Sequence, residues 1–132
     1  MVLALQRATH HTLHVLGNGL ADPRLSAAEI NVLANLGAGG TLNVRQLGAR
    51  TGSRASTLTG ILDRLESRGY LTRELDAGDR RSFRLPLTEP GQAAAGRVLA
   101  AIADLERTAL AGLSADQIAG YHAVIAALTE AG

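Results

Sequence analysis

The stretch SRASTLTGILDRLESRG, from Ser53 to Gly69, decides the fold of this chain of 132 residues. Its large apolar residues recur at the spacing of one helical face: Leu58, Ile61, Leu62 and Leu65. The opposite face carries hydroxyl groups and arginines, which can hydrogen-bond to base edges. Ser53 is a suitable N-cap and Gly69 a suitable C-terminal stop. We therefore predict one amphipathic helix, with its apolar face toward a core and its polar face toward a polyanion.

A short helix precedes this stretch and a charged hairpin follows it. Asn43 and Gln46 have the spacing of a capping box, which predicts that the short helix begins there. A turn at Thr51-Gly52 separates the two helices. On the other side we predict strands over Tyr70–Leu75 and Arg80–Leu87, joined by a short loop. A two-stranded hairpin with few inward apolar groups is marginal alone, so we expect it to pack on the helices.

Further helices lie on both sides of this segment. Met1–Leu16 has helical character and ends at the Gly17-Asn18-Gly19 run, and Asp22-Pro23 predicts a turn. The starting signals of three more helices are, in chain order, Ser26 with Glu29, Thr88, and Ser114 with Gln117. Each of these helices carries an apolar stripe at helical spacing. The expected fold is therefore mostly α, with one small hairpin.

The composition is that of a globular chain and excludes several kinds of chemistry. Apolar residues make up 46% and charged residues 19%, and no apolar run is long enough to span a bilayer. The absence of Cys and Lys excludes thiolate metal sites, thiol redox sensing and a phosphate-loop lysine. We recognise no catalytic set and no signal peptide. We therefore expect a cytoplasmic protein that is not an enzyme and carries no cofactor.

Positive charge is concentrated in the middle of the chain. The net charge is +1 overall, whereas residues 41–85 alone carry nine arginines and five acidic residues. A basic segment inside a nearly neutral protein is typical of a nucleic-acid reader. A solvated arginine-rich surface is the alternative explanation.

Local motifs, together with this order of elements, resemble the MarR family of bacterial winged helix-turn-helix regulators. The motifs are LSAAEINVLANL (25–36), NVRQLGART (43–51), LTGILDRLESRGYLTR (58–73), GDRRS (78–82) and LTEPG (87–91). The resemblance implies a single domain over residues 1–132, mostly α with a two-stranded β wing. Residues 25–87 would form the winged helix-turn-helix DNA-binding lobe. Residues 1–20 and 88–132 would supply dimerisation helices.

By the same resemblance, the chain would be a homodimeric repressor of a pseudo-palindromic operator in double-stranded DNA. Two-fold symmetry would place two recognition helices about 34 Å apart in successive major grooves. Arg81 would enter the minor groove, and Asp79 would orient an arginine. The expected DNA-contacting residues are Arg45, Ser53, Arg54, Ser56, Thr57, Thr59, Arg64, Asp79, Arg80 and Arg81. Arg64 would clamp a phosphate, or else pair with Asp63 or Glu66.

One departure from the family pattern lies in the middle of the recognition helix. Family members often carry an arginine directly after the position of Thr59, where this chain has Gly60. A bidentate guanine contact worth about 1–3 kcal/mol is therefore expected to be missing there. Either Arg54 reads the guanine instead, or binding depends more on the wing and on DNA shape.

Regulation is expected through a small molecule, with two alternatives left open. Members of the family often bind small, frequently aromatic anions between the DNA-binding lobe and the dimer helices. Arg7, His10 and His14 are the candidate ligand-binding residues on that side. His10 and His14 also have the i, i+4 spacing of metal ligands, so a metal-responsive regulator is one alternative, although no metal site is assigned. A winged-helix module that binds a protein is the other.

Overall fold

The computed structural model describes residues 1–20 and 24–131, so the turn predicted at Asp22-Pro23 lies outside the described residues. The elements in chain order are α1 (Val2–Gly19), α2 (Ala27–Ala38), α3 (Val44–Thr51), α4 (Ala55–Ser67), β1 (Glu74–Leu75), β2 (Phe83–Arg84), α5 (Glu89–Ala109) and α6 (Ala115–Glu130). The chain forms two compact units, residues 1–102 and 103–132, with the boundary inside α5. Among the described residues, no helix is both long and apolar enough to span a membrane.

The core of the first unit forms where α2, α3, α4, the hairpin and the start of α5 bury their apolar faces. The most deeply buried large side chains are Ile30, Val32, Leu33, Leu47, Leu58, Leu62, Leu65, Leu71, Leu85 and Val98. The four apolar positions predicted for α4 are all buried, which confirms its core-facing stripe. The stripe of α5 begins earlier than its large residues indicate, because Ala94 and Ala95 are buried too.

Side-chain caps fix most helix starts at the predicted residues. Asn43 and Ser114 each form a complete capping box with the residue three positions later, at α3 and α6. Thr88 caps α5, since its Oγ1 accepts the Gly91 N–H at 3.1 Å. The cap of α2 is incomplete. The Ser26 hydroxyl accepts the Glu29 N–H as expected, but it also donates to the Glu29 carboxylate, which is buried.

Two helix boundaries differ from the sequence-based predictions. The N-cap of α4 is Arg54 and not Ser53, and no side chain caps this helix. The Ser53 N–H points to the hydroxyl of Thr51 at 3.4 Å, so Ser53 belongs to the turn that follows the left-handed Gly52. The second difference is the C-terminal end of α1, which continues through Gly17 to Gly19. Glycine lowers helix propensity, but packing of the helix overrides this preference.

The hairpin, which we call the wing, is shorter than predicted. Its strands pair antiparallel over two residues each, with Leu75 opposite Phe83. Arg80 and Arg81 lie in the turn and not in a strand. The carboxylate of Asp76 accepts the Gly78 N–H at 3.0 Å, and that of Asp79 accepts the Arg81 N–H at 3.1 Å. These local bonds satisfy backbone groups that a longer ladder would otherwise pair.

The end of α4 and the start of α5 are held together through backbone groups. The Thr88 hydroxyl donates to the Gly69 carbonyl, and the Thr88 N–H donates to the Tyr70 carbonyl at 3.0 Å. Gly91, in the first turn of α5, lies directly on the Tyr70 backbone, where a Cβ would overlap the carbonyl oxygen. This contact fixes the start of α5 relative to the end of α4 and the wing that follows it.

Candidate nucleic-acid interface

The polar face at the start of α4 carries one arginine and three small hydroxyl side chains, all exposed. The arginine is the N-cap Arg54, and the hydroxyl groups belong to Ser56, Thr57 and Thr59 on the first two turns. The Thr59 hydroxyl donates to the Ala55 carbonyl at 2.9 Å, so its oxygen is left to accept a hydrogen bond from a ligand. The small size of the three hydroxyl side chains allows close approach of a nucleic-acid surface.

The wing and α3 are connected through Asp79. Its Oδ2 lies 3.6 Å from Arg45 Nη2, while its Oδ1 accepts the backbone N–H of Arg81. The arginine that Asp79 pairs with is therefore Arg45 of α3, and Arg81 is positioned through its backbone. The side chains of Arg80 and Arg81 remain exposed on the turn. One carboxylate thus sets the position of two cationic elements relative to each other.

A cleft of about 420 Å³ separates α3, the start of α4 and the wing. Its rim includes two arginines from distant parts of the sequence, Arg45 and Arg81, together with Ser53. Apolar groups of Leu58 and Phe83 form part of its wall. The fold therefore brings three of the predicted DNA-contacting residues together at this cleft, which its two arginines make cationic.

Asn43 joins the base of the wing to α3. Its Oδ1 accepts the Gln46 N–H at 2.8 Å as part of the cap, and its Nδ2 donates to Asp76 Oδ2, also at 2.8 Å. The Leu85 N–H donates to the Leu42 carbonyl at 2.9 Å beside it. The hydrogen bonds from Asn43 and the Gly78 N–H, with the nearby Arg84 charge, lower the pKa of Asp76 from its ordinary 3.8. Asn43 therefore acts as both a helix cap and a wing anchor.

We expect Asn43→Ala to destabilise the protein more than Ser114→Ala does. Both variants remove a capping-box side chain, which costs about 1 kcal/mol, but only the first also releases Asp76. Because the pKa of Asp76 is lowered in the folded state, the Asp76 carboxylate stabilises the fold above pH 3.8. This stabilisation declines as the pH falls below 3.8. Urea unfolding across this pH range should therefore show that the free energies of unfolding of the two variants become more similar at low pH. Equal costs at neutral pH would contradict the anchoring role.

The ionic partner of Arg64 is Glu29 of α2 and not a residue close to it in sequence. Arg64 Nε lies 3.3 Å from Glu29 Oε1, and Arg68 Nη2 lies 3.5 Å from Glu29 Oε2. Neither Asp63 nor Glu66, the suggested neighbours, takes this role; both face Arg73 instead. A sequence signal was available, because Glu29 is in phase with the buried residues Val32, Leu33 and Leu36. A carboxylate in an apolar stripe indicates a buried acid with a cationic partner.

The histidines of α1 lie on an exposed part of the helix. His10 and His14 are exposed, and His14 Nε2 lies 3.1 Å from Asn18 Nδ2. Within residues 1–20 and 24–131, no group of three or more His, Cys, Asp or Glu residues is placed to hold a metal ion. Arg7, His10 and His14 line neither the cleft beside the wing nor the second cavity described next. Their assignment to a ligand site remains a prediction.

A second cavity lies behind the wing, between the end of α2 and the side of α5. It has a volume of about 310 Å³, and its walls combine aliphatic side chains with glycines and the polar residues Thr41 and Gln92. The aliphatic lining includes Leu36, Leu85, Leu87, Ala95 and Leu99. This is the lower end of the size range of small-molecule pockets.

Known proteins share both sequence and structure with this chain. The sequence model of the MarR family matches residues 24–82. The transcriptional regulator PecS of Dickeya dadantii is 36% identical over 105 residues, which are 77% of this chain and 63% of PecS. The chain therefore spans less than two thirds of the length of this curated relative.

Solved structures extend the similarity to almost the whole chain. The transcriptional regulator PcaV of Streptomyces coelicolor, determined in complex with its natural ligand, is 30% identical with a TM-score of 0.75, covering 96% of this chain and 90% of PcaV. A probable transcriptional regulator of Pseudomonas aeruginosa is also 30% identical, with a TM-score of 0.76 and coverage of 97% and 96%. The similarity confirms the expected fold class, helices with a two-stranded wing.

Proposed function

This chain belongs to the MarR family of transcriptional regulators, and we propose that it is a sequence-specific DNA-binding repressor that acts as a homodimer. The family consists of regulators and not of enzymes. In this proposal the protein is cytoplasmic and its dimer binds a pseudo-palindromic operator. A small-molecule effector releases the dimer from the DNA. The DNA contacts assigned to α3, α4 and the wing in the sequence analysis are part of the same proposal.

The observation that carries this proposal is the cationic cleft beside the wing. Arg45 from α3, Ser53 before α4 and Arg81 from the wing meet there, although they are far apart in sequence. The exposed hydroxyls of Ser56 and Thr57 continue the same polar surface along α4. Arginines supply phosphate contacts and positioning, while small polar groups on a helix can reach base edges.

The direct test is selection of the full chain against random duplex DNA, followed by anisotropy titration of the enriched duplex at two salt concentrations. We expect a pseudo-palindrome that binds far more tightly than a scrambled duplex, with affinity that falls as salt rises. Absence of enrichment, with weak binding abolished by salt, would contradict the DNA-reading function and favour the protein-interaction module.

The dimer is supported by the exposure of apolar side chains. In the second unit, Tyr121, Val124 and Leu128 of α6 are exposed, and so are Leu110 and Leu113 before it. None of the residues of α6, from Ala115 to Glu130, is buried within the chain. An apolar surface of this kind indicates a contact with another molecule, which we assign to a second copy of the chain.

We expect Leu128→Asp to convert the dimer to a monomer at micromolar concentration. A buried carboxylate without a partner costs several kcal/mol, and two-fold symmetry places the substitution in the interface twice. Mass measured by light scattering should fall from two chains to one. Leu75→Asp is the matched control, because it makes the same change at an exposed leucine of the wing and should leave the mass unchanged. A dimer that persists in Leu128→Asp would exclude this part of α6 from the interface.

An effector site is the remaining part of the proposal. The structural relative PcaV was determined in complex with its natural ligand. In this chain the candidates are Arg7, His10 and His14 on α1, and the cavity lined by Thr41 and Gln92. Aromatic carboxylates added to the operator complex should release the DNA if the effector is of this class. Zinc added in the same assay examines the metal-responsive alternative, in which His10→Ala would abolish any change.

A further inference from the structure

A buried carboxylate lies under the recognition helix. Glu29 of α2 is 2% exposed, and its side chain reaches across to α4, which is 35 positions away in sequence at Arg64. The Ser26 hydroxyl donates to Oε1 at 3.0 Å, and Arg64 Nε donates to the same oxygen at 3.3 Å. Arg68 supplies a second positive charge at Oε2. The carboxylate is therefore fixed in position by α2 and neutralised by two arginines of α4 and its C-terminal end.

Arg64 uses only part of its guanidinium in this interaction. The bond to Glu29 involves Nε, and the terminal nitrogens make no hydrogen bond to any residue in the described ranges 1–20 and 24–131. More than half of the Arg64 side chain, 54%, is exposed, compared with 3% of the Glu29 side chain. One end of the guanidinium is thus held by a buried acid, while the other end faces the surface.

The guanidinium of Arg64 lies next to Gly60 on the surface of α4. Residues four positions apart lie on one face, and helical side chains lean toward the N-terminus, so Arg64 extends back over the turn that contains Gly60. A Cβ at Gly60 would lie 3.7 Å from Arg64 Nη1, with no other group within 4 Å. A Cβ would thus be in ordinary van der Waals contact with the guanidinium, and a side chain longer than that of alanine would compete with it for the same surface.

We propose that Glu29 is a positioning residue that holds Arg64 over Gly60 as a preformed clamp for a DNA backbone phosphate. This inference rests on the proposed DNA-binding function and assigns a role to a residue that does not itself contact DNA. The Nε–H bond to Glu29 fixes the rotamer, so that the terminal N–H groups bind phosphate with a smaller loss of side-chain entropy. Lysine has no counterpart of this geometry, because its N–H donors are all on one nitrogen, whereas the guanidinium donates from Nε and from separate terminal nitrogens.

The first experiment compares Arg64→Ala with Arg64→Lys on the selected operator. We expect Arg64→Ala to weaken binding by about tenfold and to lower the salt dependence of the affinity, as loss of a phosphate contact requires. Arg64→Lys should weaken binding nearly as much, although it keeps the charge. Arg68 still faces the buried Glu29 carboxylate in both variants, so we expect the folded state to persist, and circular dichroism checks this. Wild-type affinity in Arg64→Lys would overturn the proposal, since a simple point charge would then suffice.

The second experiment is a double-mutant cycle between Glu29→Gln and Arg64→Ala. Loss of a negative charge changes DNA affinity in either background, so the readout is the coupling and not the single-variant effect. We expect the loss of operator affinity caused by Glu29→Gln to be about threefold larger in the wild-type background than in the Arg64→Ala background. The control cycle uses Glu66→Gln, an equal charge change on α4 at a residue that faces Arg73, and should show no coupling to Arg64.

Additive effects of Glu29→Gln and Arg64→Ala would overturn the proposal and leave Glu29 with a role in helix packing alone. Circular dichroism of each variant separates loss of folding from loss of binding. The proposed function is tested separately by the wild-type chain. If wild-type protein selects no duplex, the repressor function fails; if it does and the cycle is additive, only the Glu29 assignment fails.

Discussion

Replacement of Gly91 by alanine is expected to destabilise the first unit by about 3 kcal/mol, a large part of the stability of a small domain. The Cβ would overlap the carbonyl oxygen of Tyr70 and approach its carbonyl carbon to 2.7 Å. Tyr70 cannot move away easily, because its carbonyl also accepts the Thr88 N–H. The backbone would have to shift where α4 and α5 meet, and this shift would affect the positions of α4 and the wing.

The matched control lies five residues farther along the same helix. Gly96 is exposed, and a Cβ there would meet no atom within 4 Å. Gly96→Ala should therefore raise the free energy of unfolding by roughly 0.5–1 kcal/mol, because alanine is favoured over glycine in a helix. Urea unfolding of the two variants should give changes of opposite sign. If Gly91→Ala unfolds at the wild-type urea concentration, the close contact with Tyr70 does not exist in solution.

The largest effect on DNA binding is expected for Arg81→Ala, which should weaken operator affinity by at least about tenfold at physiological salt. Arg81 is exposed at the turn of the wing, and its backbone N–H is held by Asp79. The same carboxylate faces Arg45 of α3, so the wing turn has a fixed position relative to the helix-turn-helix. A guanidinium held there can enter a narrow minor groove, where the negative potential is enhanced.

Arg97→Ala is the control for charge. It removes one exposed arginine from α5, outside the cleft formed by α3, α4 and the wing. Anisotropy titrations on the selected duplex at two salt concentrations should give a much smaller loss for Arg97→Ala than for Arg81→Ala. Retention of wild-type affinity in Arg81→Ala would remove the wing arginine from the interface and leave the contacts to α3 and α4.

Local sequence patterns predicted the features that depend on neighbouring residues. The stripe of α4 was predictable because a 3.6-residue period leaves one way to bury Leu58, Ile61 and Leu62 together. The caps at Asn43 and Ser114 were predictable because both partners of each box are three residues apart. The exposed arginines and hydroxyls of the candidate interface followed from the opposite face of the same period. Their contacts with DNA remain predictions.

Local patterns failed where one residue has two competing partners. Ser53 is a good capping residue, but the turn at Gly52 placed it one position before the cap. We predicted strands over Tyr70–Leu75 and Arg80–Leu87, whereas the carboxylates of Asp76 and Asp79 bond to the backbone of a longer turn. Strand pairing competes with such side-chain hydrogen bonds for the same backbone N–H groups. The sequence alone does not decide this competition, because its outcome depends on which acceptor the fold brings closer.

The sequence by itself determined that this chain folds into helices with a small wing and that its positive charge gathers around α3, α4 and the wing, because periodicity, caps and charge are local properties. Only the tertiary structure decided that Glu29 is the partner of Arg64 and that Asp79 faces Arg45. It also decided that Gly91 must lack a side chain. These contacts join residues more than 20 positions apart, and their geometry depends on how the helices pack, since a buried charge takes whichever partner the packing brings within reach.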